Sequence, residues 1–140
     1  MANSNQQVKL SPEQVKKLQD QFSKLPPEKQ AELLEKQCIF CQIARGNIET
    51  VKLYEDKNVV AILDIMPASR GHALIFPKKH SQFLFQVPDN VVSELFSITS
   101  KLSTYLVNEI KATGFNIIIS NGASAGQRVP HLMINLIPRY

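Results

Sequence analysis

Three short β-rich runs, "TVKLYED" (50–56), "NVVAILDI" (58–65) and "GHALIFPKKH" (71–80), follow one another with only turn-forming residues between them. Asp56, Lys57 and Asn58 separate the first two, and Pro77 closes the third. Connections this short favour neighbouring strands that run antiparallel. Next comes "PDNVVSELFSITSKLSTYLVNEIKATG", where Val91, Leu95, Ile98, Leu102, Tyr105 and Ile110 recur near a 3.6-residue period. That spacing predicts a long helix over 89–111, with Asp89 as its cap and Gly114 as its stop. Two further strands, "FNIIIS" and "VPHLMINLIPRY", are separated by the small-residue loop "NGASAGQ". Strands outnumber the long helix, so the class expected is α+β with an antiparallel sheet.

The region before Cys38 has a different character. "SPEQVKKLQDQFSKL" opens on Ser11 with Gln14 three residues later, the pattern of a capping box. Val15, Leu18, Phe22 and Leu25 keep helical spacing until Pro26 and Pro27, and "PPEKQAELLEKQ" can begin a second helix. Residues 1–37 are therefore expected to be an extension, a helical hairpin after a polar, disordered start at 1–9. Residues 38–140 form the domain proper.

A chain of 140 residues with 44% hydrophobic residues suffices for one real core. No apolar run approaches the roughly 20 residues of a membrane helix. The start, "MANSNQQVKLSPEQ", lacks the pattern of a signal peptide, so a cytoplasmic protein is expected. Sixteen basic against twelve acidic residues give a net charge of +4, spread along the chain. That balance allows a slight preference for anions such as phosphates without demonstrating one.

Few residues are chemically able. Cys38 and Cys41, in "CIFC", are the only cysteines. In a reducing compartment this spacing suggests a metal knuckle or a redox dithiol more than a structural disulfide. Redox pairs usually open a helix after a strand, whereas here helix-forming sequence comes first. A tetrahedral zinc site needs two more ligands, and spacing leaves open which of His72, His80 and His131 supply them. In the last run His131, Met133 and Asn135 alternate with Leu132, Ile134 and Leu136. An extended backbone would bury the aliphatic set and line another surface with the first three.

The run from "CIFCQIARGNIETVKLYEDKNVVAILDIMPASRGHALIFPKKH", the loop "SNGASAGQ" and the end "HLMINLIPR" together resemble the histidine triad (HIT) family of nucleotide hydrolases and transferases. The resemblance covers roughly residues 38–140 and implies a five-stranded antiparallel sheet in each subunit of a homodimer. It also implies binding of nucleoside phosphates, cleaved at the α-phosphorus through a nucleotidyl-histidine. The helix 89–111 and the strand before it are the expected two-fold interface.

The family's His-φ-His-φ-His-φ-φ signature falls on His131, Met133 and Asn135. Met133 takes the place of the nucleophile. A thioether is a poor nucleophile toward hard phosphorus, and an amide cannot act as acid or base. The resemblance implies zinc on Cys38, Cys41, His80 and His131. It also implies that Asp64 holds the ribose hydroxyls, with Ile65 against the base. Ser120, Asn121, Gln127 and Arg128 fall in the phosphate region, and His72 matches a histidine of the catalytic network.

Three functions follow as alternatives. The first is a nucleoside-monophosphate binder with little or no hydrolysis. The second is an enzyme on a non-standard route, such as water attack aided by His72 or Arg128. The third is a structural or protein-interaction module that docks a partner through the N-terminal helices.

Overall fold

The computed structural model describes residues 10–140; the expected disorder at 1–9 lies outside them. Contacts divide the chain between Gln37 and Cys38. In the first unit, α1 (Pro12–Ser23) and α2 (Pro27–Gln37) form where the sequence places them. The capping box is present: the Ser11 hydroxyl accepts from the Gln14 amide at 3.2 Å, and Gln14 Oε1 accepts from the Ser11 amide at 2.8 Å. Two orphan N–H groups are thereby satisfied at once. Gln30 Nε2 donates to the Leu25 carbonyl at 2.8 Å and fixes the turn between the helices.

The second unit contains α3 (Ile39–Ala44), β1 (Lys52–Glu55), β2 (Val59–Leu63), β3 (Ala73–Pro77), α4 (Asp89–Asn108), β4 (Gly114–Ile118) and β5 (Ile134–Arg139). The five strands make one sheet in the order β1-β2-β3-β5-β4, with every neighbouring pair antiparallel. This is the α+β architecture that the runs of apolar sequence imply.

Strands β2 and β3 read as almost unbroken apolar runs because both of their faces are covered. Val59, Ala61, Ala73, Ile75, Ile134 and Leu136 pack in one cluster with Leu95, Ile98 and Leu106 of α4. The alternate residues Val60, Ile62, Leu74 and Phe76 join Cys38, Phe40, Cys41 and Ile43 on the other face. Leu95 is 1% exposed, and burying such a side chain contributes about 1.5–3 kcal/mol. Among the described residues no helix is long and apolar enough to cross a membrane.

Several boundaries differ from expectation. Pro88 occupies the N-cap position of α4 and Asp89 is its first residue, so Asp89 is not the cap. The helix stops at Asn108, and Lys111 adopts φ 59° as the chain turns back. Gly114 opens β4 opposite Arg139 instead of ending the helix. The last strand starts at Ile134, which leaves His131–Met133 in the irregular approach to it. The strand before α4 is β3, and it lies at the centre of the sheet. The outer strands are β1 and β4, so β3 cannot form an edge-to-edge interface.

Gly71 sets the entry to β3. Its φ is +86°, and a Cβ there would lie 2.5 Å from Ile110 Cδ1. Only glycine permits this approach of the chain to α4 directly before His72.

Candidate functional site

On the face of the sheet away from α4, the short helix α3 brings Cys41 and its N-cap residue Cys38 to one side. A spacing of three residues does this in a helix. No cap or periodic signal in the sequence marks so short an element. Both cysteines are buried, and neither is in a disulfide. Facing them is His131, which is 0% exposed and lies edge-on to the rings of Phe76 (5.5 Å between centroids) and His80 (5.2 Å). Its Nε2 lies 2.8 Å from the Pro77 carbonyl. A carbonyl only accepts, so Nε2 carries the proton and Nδ1 presents a lone pair.

That lone pair points at sulfur. His131 Nδ1 is 3.3 Å from Cys38 Sγ and 3.6 Å from Cys41 Sγ, and His80 Nδ1 is 3.2 Å from Cys41 Sγ. Burial drives the His131 imidazolium down to a pKa of about 4, with the Pro77 bond opposing and His80 assisting. The neutral ring is the form that binds a metal. The four ligand atoms of Cys38, Cys41, His80 and His131 all lie within 4.8 Å of one another. Tetrahedral Zn²⁺ with bonds of about 2.0–2.3 Å requires ligand atoms roughly 3.3–3.8 Å apart. The donor set and its spacing fit that ion.

Next to this cluster is a cavity of about 560 Å³, lined by both predicted and unpredicted residues. Asp64, Ile65, His72, Ser120, Gln127, Arg128, His131, Met133 and Asn135 all border it. Asn121 does not: its Oδ1 accepts from the Leu84 amide at 2.8 Å and ties the loop to the turn at Leu84–Gln86. Ile39, Phe40 and Val129 also line the space. The intervening residues of "CIFC" could have signalled the first two, because a turn that joins the cysteines exposes them alongside.

The expected row of His131, Met133 and Asn135 on one surface is therefore uneven. His131 is sunk in the core, Met133 packs against the same cluster, and Asn135 is half-buried in β5.

His72 is held at both nitrogens. The Ala68 amide donates to Nδ1 at 3.1 Å, and Nε2 lies 3.1 Å from Asn135 Oδ1. With an N–H already pointing at it, Nδ1 carries no proton. Its 3.7 Å approach to Asp64 Oδ2 is accordingly not an ion pair. Asp64 accepts from the Met66 amide through Oδ1 at 2.9 Å.

Gln127 has both ends of its amide engaged. Oε1 accepts from the Gly122 amide at 2.7 Å, and Nε2 donates to the Gln82 carbonyl at 2.9 Å. It shapes the loop before it touches any ligand. Arg128 is exposed and brings the loop's positive charge to the cavity rim.

A buried Cys₂His₂ cluster thus lies beside a cavity bordered by an aspartate and a small-residue loop, in a domain built on an antiparallel sheet. Residues 45–140 match the family model of the HIT domain. The chain belongs to the HIT family. It is 42% identical over 106 residues to an adenylylsulfatase of Arabidopsis thaliana, covering 76% of this chain and 54% of that one. It therefore spans about half the length of that relative. It is 37% identical over 106 residues to an adenosine 5'-monophosphoramidase of Candida albicans, covering 73% of this chain and 70% of the relative. The crystal structure of a Zn-bound histidine triad family protein from Mycobacterium smegmatis superposes with a TM-score of 0.72 at 34% identity, covering 76% of this chain and 77% of that one.

The bonds to His72 generate a prediction. Proton–nitrogen correlation spectra should show His72 protonated at Nε2 and not at Nδ1. Asn135→Ala should disturb the Nε2 signal while leaving that of His131 in place. A His72 ring protonated at Nδ1 contradicts the assignment.

Proposed function

We propose that this protein binds a nucleoside monophosphate or a related small molecule and cleaves it slowly or not at all. The observation that carries this reading is Met133 beside Asn135 and His72 on the wall of an otherwise well-formed cavity. In the family pattern Met133 holds the place of the attacking imidazole. Its thioether cannot shed positive charge by losing a proton, so no stable nucleotidyl adduct forms on it. Asp64 is suited to a vicinal diol, Ile65 to the base, and Ser120, Gln127 and Arg128 to the phosphate. The relatives named for adenylylsulfatase and monophosphoramidase activity support an adenosine monophosphate group as the moiety recognised.

Calorimetric titration should detect AMP binding, while adenosine phosphoramidate is turned over weakly and without a covalent intermediate. The double change Met133→His with Asn135→His, which returns an attacking imidazole to this wall, should raise that turnover by at least about a hundredfold, a part of what loss of the nucleophile costs an enzyme that uses one. Fast cleavage by the unaltered protein with a trapped adduct would refute the binder reading. Absence of any nucleotide binding would favour an interaction module instead, with the helices of 1–37 as an added docking element on a domain at 38–140.

We further propose that Cys38, Cys41, His80 and His131 hold one Zn²⁺. A shell completed by protein ligands has no open position, so the metal is structural, and its thiolate ligands suit the reducing cytoplasm. The zinc-bound relative supports this assignment. Purified protein should contain close to one zinc per chain. Chelation should lower its stability by about 4 kcal/mol if free zinc had stood a thousandfold above its dissociation constant. A metal-free protein of unchanged stability would exclude the site.

The partner proposed for the domain is a second copy of itself. Outer strand β4 carries Phe115 and Ile117 at 39% and 44% exposure, and Tyr105 on α4 is 54% exposed. An exposed apolar edge of this kind is a template for pairing, and a two-fold operation makes it self-complementary. Sedimentation at tens of micromolar should give a dimer that Ile117→Lys converts to monomer. A monomeric wild type would exclude the arrangement.

A further inference from the structure

The loop between β2 and β3 brings Asp64, Ile65 and His72 to the wall of the large cavity. Its residues 65–68 and Arg70 are exposed, so burial does little to hold it. Its internal hydrogen bonds converge on His72. The Asp64 amide donates to the His72 carbonyl at 3.0 Å, and the His72 amide donates to the Ser69 carbonyl at 3.1 Å. The Ala68 amide donates to His72 Nδ1 at 3.1 Å. That last bond keeps the proton off Nδ1 only while Ala68 stays where it is.

The anchors of the loop come from elsewhere in the chain. The β3–β5 ladder ends where Ala73 faces Leu136, so beyond that pair the end of β5 meets the loop through side chains. Ser69 Oγ donates to the Pro138 carbonyl at 2.6 Å. Tyr140, directly after β5, donates its hydroxyl to the Arg70 carbonyl at 2.7 Å. The Arg70 guanidinium lies over the Tyr140 ring, 5.2 Å from its centroid, and Nη2 donates to the Ile110 carbonyl at 2.9 Å. A cation over an aromatic face is attracted to it, so the two side chains close on each other. Tyr140 is 56% exposed, and a ring so open contributes little to the core. Its contacts fall on the loop.

Opening this clamp has a defined chemical consequence. Asp64 Oδ2 stands 3.7 Å from His72 Nδ1. Once the Ala68 amide withdraws, the proton can leave Nε2 for solvent and return at Nδ1, with no change in net charge. Nδ1 then donates to Asp64, and Asn135 must turn its amide to face an accepting Nε2. Asp64 is engaged by His72 and no longer available to a ligand.

We propose that Tyr140 and Arg70 are positioning residues for the cavity. Neither belongs to its lining. Closed on each other, they hold the loop where His72 keeps its proton on Nε2 and Asp64 stays free for a ligand. The proposal rests on the reading of the cavity as a nucleoside-phosphate site.

The test compares the full chain with Tyr140→Ala and Tyr140→Phe. Proton–nitrogen spectra should place the His72 proton on Nε2 in the wild type and a substantial share of it on Nδ1 in Tyr140→Ala. The His131 signals should stay as they are. In calorimetric titration, Tyr140→Ala should weaken AMP binding about threefold to tenfold, the scale of one hydrogen bond. Tyr140→Phe keeps the ring under the guanidinium and loses only the hydroxyl bond, so both readouts should fall between the other two. His72 signals in Tyr140→Ala that match the wild type would overturn the proposal. So would a disturbance that reaches His131 equally, which marks general loosening, or altered His72 signals with AMP affinity unchanged. A wild type that binds no AMP removes the nucleotide reading instead, and the ring spectra then decide the clamp by themselves.

Discussion

The hydrogen bond from His131 Nε2 to the Pro77 carbonyl is the contact on which the second face of the sheet depends. It settles which nitrogen bears the proton, and so turns the other toward Cys38 and Cys41. Through those thiols, α3 is drawn against β2 and β3, and Phe40 comes to rest on Phe76 with ring centroids 5.1 Å apart. Without that cover, Val60, Ile62, Leu74 and Phe76 would be left in water. The wall of the large cavity formed by Ile39, Phe40 and Val129 would be missing as well.

The strands and the long helix were legible because their burial is written in their side chains. A strand covered on both faces must be apolar throughout, and "VVAIL" and "ALIF" are. The misplacements have local causes. Pro88 already ends the preceding loop at the residue where a cap belongs, which shifts Asp89 one place into the helix. Pro130 cannot donate to a ladder, and the demands of the Cys–His cluster pull His131 out of extended register, so β5 starts late. Helix α3 spans six residues, too few for any period to emerge.

For the site, the four residues of the Cys–His cluster and about half of the cavity's lining fall where the family pattern expects them. What could not be read was work done by backbone atoms. The Pro77 carbonyl and the Ala68 amide fix two histidine tautomers, and nothing in a side-chain sequence marks them. Asn121 shows the opposite limit: its neighbour Ser120 reaches the cavity, while its own amide is turned back into the scaffold.

The amide of Gln127 spans from Gly122 to Gln82 and holds the loop closed before anything enters the cavity. A ligand arriving there meets a surface already ordered, so little chain entropy is lost when it binds. Association can then proceed by rigid encounter, with neither a slow rearrangement step nor the large heat-capacity change that accompanies loop folding. In such a design, affinity would be set by how fast a ligand leaves, and a substitution at Gly122, whose φ of +90° no ordinary side chain favours, would alter residence without touching the ligand at all.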